Sequence, residues 1–259
     1  KDKLQNNINE INAFSTDITV FEKLLEIVQN LSAAKDMNVV MDIVRHSVRN
    51  LIKADGATFV LRDDPFCYYV KEDAITPLWE GQRFLMSECI SGWVMQNKKS
   101  VIIENIYSDS RIPIGVYNKT FIKSLAMVPI KINNPIGAIG CYWAKNHYAT
   151  NEEIKILQVL ADTAAIAMDN INYKHEIAKK AKELDEAISD TMYVIAKMVE
   201  QKDLFTSGHQ VRVAQIALDI AKSFCWDWDR CNKVFRAGIL HDIGKIGIPS
   251  ETLIKPSKL

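Results

Sequence analysis

No run of this sequence comes near the roughly 20 consecutive apolar residues that a membrane-crossing helix requires, so no membrane span is expected. Charge of one sign is missing as well. The 32 basic residues balance 32 acidic ones, which removes any global field that would gather nucleic acid or an anionic bilayer. No nucleic-acid partner is expected. Cysteines are few, and the five present (Cys67, Cys89, Cys141, Cys225, Cys231) include no Cys-x-x-Cys pair. An odd, scattered set fits a reducing cytoplasm rather than a disulfide framework. Buried or half-buried free thiols are the expectation for all five, with a redox or cofactor role for Cys67, Cys89 or Cys141 as the alternative. No signal peptide opens the chain, and its start at Lys1 and stop at Leu259 lead to the expectation of a fragment from a longer protein. Glycine and proline are absent from Asn151 to Phe205, which excludes a flexible linker there.

What is present falls into segments of different texture. Leu4, Ile8 and Ile11 form a narrow apolar stripe suited to pairing with a second copy. Ser15-Thr16-Asp17 is a helix-capping cluster, after which Ile18, Phe21, Leu25 and Val28 continue the spacing. A helix from Asp36 to Leu51 is predicted to turn Val39, Val40, Ile43, Val44 and Val48 inward. Strand-like runs follow at Ala57–Leu61, Cys67–Val70, Ser100–Ile103, Ser124–Ile130 and Ile136–Trp143, with turn signals at Asp63-Asp64-Pro65 and Asn133-Asn134-Pro135. The last two runs are predicted to be neighbouring central strands of an antiparallel sheet, and Glu88 to Gln96 a short helix. Thr150-Asn151-Glu152-Glu153 caps a long helix carrying Ile154, Leu157, Leu160, Ala161, Ala164 and Ala167.

This order of elements resembles a GAF domain over about residues 19–172. The resemblance is carried by Ser124-Leu125-Ala126-Met127-Val128-Pro129-Ile130, Pro135-Ile136-Gly137-Ala138-Ile139-Gly140, Cys89-Ile90-Ser91-Gly92-Trp93 and the helix Glu152 to Asn170. It implies either a small-ligand pocket or a dimerising role, and leaves the ligand unknown. Trp79, Phe84, Trp93, Tyr107, Tyr117 and Phe121 fall where such a pocket is lined. Core filling is the commoner use of aromatics at such positions. Arg111 and Lys123 would meet an anionic ligand or else stay solvated, and His147 is expected at the surface rather than on a haem.

Farther on, Ile177, Ala181, Leu184, Ile188, Thr191, Ile195 and Met198 alternate four and three residues apart. That is the seam of a parallel two-stranded coiled coil. Lys179, Lys180, Lys182, Glu183, Asp185 and Glu186 lie off it as solvated flanks. A stiff helix of this kind transmits rotation or a shift of register.

The chemistry-bearing stretch comes last. His241 and Asp242 end an apolar helical run, where burial alone would favour Leu or Ala, and His209 follows Gly208 upstream. Imidazole and carboxylate together suit divalent transition metals, and a carboxylate bridges two ions. Lys245, three residues past Asp242, shares its face on a helical turn and is a candidate to hold a phosphate oxygen. Glu200 to Ala214 and Ala237 to Leu259 resemble the opening of an HD-GYP domain, the bacterial HD phosphohydrolases that hydrolyse cyclic di-GMP. The matching text is Lys202-Asp203, Thr206-Ser207-Gly208-His209, Arg212-Val213-Ala214, Leu240 to Pro249 and Lys255-Pro256-Ser257-Lys258-Leu259. The resemblance implies metal ligands His209, His241 and Asp242, catalytic roles for Asp242 and Lys245, and iron or manganese as the divalent metal of the complete domain. The family's later histidines and Gly-Tyr-Pro signature do not occur before Leu259, so three ligands are too few for two ions. Phe205 stands where some members carry a Glu, leaving Glu200 as the nearest substitute.

The expectation is therefore an α+β chain with an N-terminal dimerisation helix (1–18), a GAF domain (19–172), a coiled-coil signalling helix (173–200) and an incomplete all-α HD-GYP segment (201–259). It would be a cytoplasmic homodimer, paired through its helices. In the complete protein the GAF domain would regulate a metal-dependent cyclic di-GMP phosphodiesterase, the 259-residue chain being inactive by itself. The alternative is a GAF ligand-binding and dimerisation module with no enzymatic role.

Overall fold

The computed structural model describes residues 20–202 and 208–253. The stripe Leu4, Ile8 and Ile11, the cap at Ser15-Thr16-Asp17, and the motif residues Asp203, Phe205, Thr206, Ser207 and Lys255 to Leu259 lie outside the described residues. The chain divides into two compact units, Lys1–Lys174 and His175–Leu259. Among the described residues, no helix is long and apolar enough to cross a membrane.

The first unit is built on six strands: β1 (Gly56–Asp63), β2 (Phe66–Ala74), β3 (Arg83–Leu85), β4 (Val101–Ile103), β5 (Ser124–Ile130) and β6 (Gly137–Trp143). They form one antiparallel sheet in the order β3-β2-β1-β6-β5-β4. All of β5 and β6 is buried, which explains why they read as unbroken apolar runs rather than as alternating ones. Strand alternation then sends Ala126, Val128 and Ile130 to one core and Leu125 and Met127 to another.

The first core lies under α1 (20–33), α2 (Met37–Ile52) and the opening turns of α5 (Asn151–Lys202). Val40, Val44 and Val48 of α2 meet Phe59, Ile139 and Cys141 of the sheet and Leu157, Leu160, Ala161 and Ala164 of α5. Asp36 caps α2 by accepting from Val39 N at 3.0 Å. The predicted inward face needs a correction: Val39 is exposed, and Met41 and Ile52 are buried with the valines. A 3.6-residue period through Val40, Val44 and Val48 carries Met41 and Ile52 on the same face and leaves Val39 beside it. The start of α5 is a reciprocal capping box, with Thr150 N donating to Glu153 Oε2 at 2.7 Å and Glu153 N to Thr150 Oγ1 at 3.2 Å. Glu153 also meets His147 Nε2 at 3.0 Å, and the His147 ring packs tilted against Trp143 with centroids 4.4 Å apart. His147 is thus half-buried and partnered rather than a bare surface residue.

The second core lies on the other face, under α3 (Ile90–Asn97), a 3-10 turn (Ile106–Ser108) and α4 (Ile114–Tyr117). The three-residue β3, this turn and the four-residue α4 are too short to leave a periodic signal.

The second unit holds the rest of α5, then α6 (His209–Ser223), α7 (Trp228–Leu240), a 3-10 turn (Ile243–Gly247) and α8 (Ser250–Leu253). Asp227 caps α7 by accepting from Arg230 N at 2.9 Å. Ala196 of α5, Ala214 of α6 and Ile239 of α7 form a small core, with Met192, Phe235 and Leu240 against it, and the Arg236 guanidinium pairs with Asp185. The seam residues Ile177, Leu184, Ile188 and Met198 stay exposed. Cys225 is also exposed, against expectation, while the other four cysteines are buried. It follows the last turn of α6 with φ 56°, in a turn that presents side chains outward.

Candidate metal centre

Two local features bring the three candidate ligands together. Gly208 sits at φ 68° immediately before α6, a left-handed conformation that glycine adopts without steric cost, and it makes His209 the first helical residue. At the far end, Gly238 lets α7 approach α6 backbone to backbone: a Cβ on Gly238 would lie 2.6 Å from Ala214 Cα and 3.0 Å from its Cβ. One turn later α7 ends, and His241 and Asp242 emerge beside His209.

Gly238→Ala is accordingly expected to destabilise the second unit by about 1–3 kcal/mol through overpacking, and to weaken divalent-metal binding with it. Gly244→Ala, at a position with nothing within 4 Å of the added carbon, is expected to change neither. Denaturant titration and metal titration of the two variants make the comparison.

The ligand atoms of His209, His241 and Asp242 all lie within 4.8 Å of one another. The imidazole rings sit 5.4 Å apart at 55°. His241 Nδ1 lies 2.8 Å from Gly238 O. A carbonyl only accepts, so Nδ1 carries a proton, which leaves Nε2 as the nitrogen able to ligate; it faces Asp242 Oδ2 at 3.4 Å. A backbone carbonyl behind a histidine is the usual way its ligating nitrogen is fixed. The donor set therefore fits a divalent transition ion. Lys245 Nζ lies 2.8 Å from Asp242 Oδ2. Hydrogen bonding from Lys245, helped by the nearby His241 and His209 and opposed by burial, holds the Asp242 carboxyl below the usual carboxylate range. Glu200 is not in the cluster; its Oε1 accepts from Gln210 N at 3.3 Å.

The aromatic candidates of the first unit fare differently. Trp79 is the hub, edge-on to Tyr69 at 5.4 Å, Phe84 at 6.2 Å, Tyr117 at 4.9 Å and Tyr142 at 5.9 Å. Phe121 and Trp93 pack against the same core, and the Arg111 guanidinium lies 4.5 Å over the Trp93 ring while pairing with Asp109. Tyr107 is apart from them, exposed, with Lys123 Nζ 3.1 Å from its hydroxyl. The space left between Tyr69, Trp79, Phe84 and Tyr117 is about 10 Å³. That is room for one water-sized molecule. Trp79→Ala is expected to cost about 3–5 kcal/mol, measured as a lower denaturant midpoint of the first unit.

Sequence reasoning missed the hydroxyl groups buried among these rings. Thr58 Oγ1 and Tyr142 Oη are 2.8 Å apart, and Tyr69 Oη and Ser91 Oγ 3.1 Å. Polar residues inside the otherwise apolar segments Ala57–Leu61 and Ile136–Trp143 were the available signal.

A six-stranded antiparallel sheet between two layers, continued by a long helix into a His-His-Asp cluster at helix ends, defines a GAF domain followed by an HD-type helical segment. Family models agree: that of the GAF domain matches residues 34–169, more than half of the chain, and that of the HD domain matches 206–259. The chain belongs to the GAF domain family.

Among solved structures it is similar to the GAF domain from Acinetobacter phosphoenolpyruvate-protein phosphotransferase, with a TM-score of 0.53 at 18% identity, covering 62% of this chain and 98% of that one. Among curated proteins it is similar to the 3'3'-cGAMP-specific phosphodiesterase 1 of Vibrio cholerae, 34% identical over 74 residues, which are 29% of this chain and 17% of the relative. It is also similar to the cyclic di-GMP phosphodiesterase response regulator RpfG of Xanthomonas campestris pv. campestris, 26% identical over 104 residues, 40% and 28% of the two chains. The chain thus spans less than a third of the length of the curated relatives it matches.

Proposed function

We propose that this chain is the sensory and core catalytic part of a signalling phosphodiesterase that opens the phosphodiester ring of a cyclic dinucleotide. The observation that carries this reading is the convergence of His209, His241 and Asp242 within 4.8 Å, with the His241 tautomer fixed by Gly238 O. HD domains are metal-dependent phosphohydrolases, and relatives of this chain are named for cyclic di-GMP and 3'3'-cGAMP. Cyclic di-GMP is the substrate we assign first, with 3'3'-cGAMP as the close variant to compare against it.

His209 and His241 would offer nitrogen lone pairs and Asp242 a carboxylate to a divalent cation, for which iron or manganese is our first assignment. A cation so held supplies positive charge to phosphoryl oxygens and lowers the pKa of a water nucleophile. Lys245 holds Asp242 oriented and would offer its ammonium to a phosphate oxygen. Three protein donors fall short of what two ions would need, which would leave positions open to water and to substrate phosphate. Turnover by the 259-residue chain alone is therefore expected to be negligible. The test is hydrolysis of cyclic di-GMP and 3'3'-cGAMP, with iron(II) or manganese(II), by the complete protein. Product from either that disappears with a chelator supports the reading, and none from both removes it.

The GAF unit acts in this reading as regulator and dimeriser through the unbroken helix α5. A second reading, a dimerising module without enzymatic role, is favoured by one observation: the cavity among the GAF aromatics has about 10 Å³ left, too little for an organic ligand. The hydrolysis assay separates the two.

A further inference from the structure

A half-satisfied ion pair and a cavity meet where α5 packs on α7, inside the second unit. Arg236 of α7 donates from Nη2 to the Asp185 carboxylate of α5. The Nε–H on the same edge of the guanidinium, which a bidentate carboxylate takes as well, is buried without a hydrogen-bond partner. Buried polar groups are rarely left so. Ser189, one turn after Asp185, gives its hydroxyl proton to Asp185 O at 2.9 Å. Its oxygen keeps lone pairs to accept with and no proton to give.

Arg236 and Ser189 both line a cavity of about 230 Å³, whose wall also holds Met192, Phe235 and Ile239. These groups set what an occupant must carry. Asp185 already neutralises Arg236, so there is no spare charge for an anion, and an apolar wall disfavours one. An unpartnered donor and a free acceptor beside apolar side chains fit a neutral molecule with one carbonyl and one N–H. The volume lies below the roughly 300–1,000 Å³ of drug-sized sites, which limits the occupant to one ring or two fused ones. The Arg236 N–H is covered while the cavity is empty, so an occupant reaches it as a wall side chain turns aside. Met192, unbranched and adaptable, is suited to that.

We propose that this cavity binds a neutral cyclic amide, a ring of the pyrimidinone or purinone type. Its carbonyl accepts from Arg236 Nε, its N–H donates to Ser189 Oγ, and its flat face lies against Phe235. Such an occupant gives the orphaned guanidinium N–H its partner and fastens α5 to the helix that leads into His241 and Asp242.

The test titrates hypoxanthine and uracil against the 259-residue chain by saturation-transfer NMR. Benzoate, which is charged, and dimethyluracil, which lacks an N–H, serve as comparators. The expected result is saturable binding of at least one of the two amides, at least about tenfold tighter than of either comparator, the size of one lost hydrogen bond in a polar site. Ser189→Leu, which removes the acceptor and fills the space, should abolish that binding, and Arg236→Met should weaken it at least about tenfold. Should Arg236→Met lose its helical circular dichroism, Ser189→Leu, which leaves the ion pair in place, answers the same question. No saturable binding of either amide, comparators that bind as tightly, or undiminished binding by Ser189→Leu would overturn the proposal.

Discussion

Replacing Leu184 and Ile188 together by Lys is expected to convert a dimer into a monomer. Both side chains are exposed, at 62% and 41%, and Ile177 and Met198 on the same stripe are exposed at 68% and 59%. The helix buries a different face: Ala196 and Val199 are covered, and Asp185 is taken by Arg236. An apolar seam with a 3.5-residue period, left bare beside a face already in use, is what a second parallel helix covers. Two lysines placed in the seam would put four ammonium groups in the dimer interface, at a cost far above that of an exposed like-charge pair. Sedimentation equilibrium should give half the wild-type mass, with helical circular dichroism of the two compact units retained. A double variant that still sediments with wild type would leave the seam without a role.

Asp242→Ala is expected to lower metal-dependent turnover of a cyclic dinucleotide by the complete protein at least about 100-fold, since losing a residue behind a metal ligand already costs 10–100-fold. Stability should hardly move, within about 1 kcal/mol, because the Lys245 pair is partly exposed and such pairs contribute little. That separation of readouts is the useful part. If turnover survives, Asp242 is no ligand; if the protein unfolds, its role is structural. Lys245→Ala is expected to leave metal binding in place and to raise the substrate concentration needed for half-maximal rate.

The larger elements were legible because each carries a period. β5 and β6 appeared as apolar runs joined by the Asn133-Asn134-Pro135 turn and pair from Ser124 with Trp143 to Ile130 with Gly137. The Thr150–Glu153 box and the absence of glycine and proline marked α5. Candidate ligands His209, His241 and Asp242 were legible by residue type at the ends of helical runs. Their closeness was not, because it depends on Gly238 meeting Ala214 across two helices. The aromatics of the first unit could be placed near a cavity by sequence, yet its volume depends on how Trp79 packs edge-on against four rings. Tyr107 shared the residue type and neighbourhood but lies outside that packing, beside Lys123.

The central claim is that His209, His241 and Asp242 hold a divalent cation. Titrating the protein with manganese(II) while following the free ion by electron paramagnetic resonance tests it most directly, with His241→Ala measured alongside. The prediction is saturable binding by the wild-type chain that is lost in the variant. Indistinguishable titrations of the two proteins would contradict it.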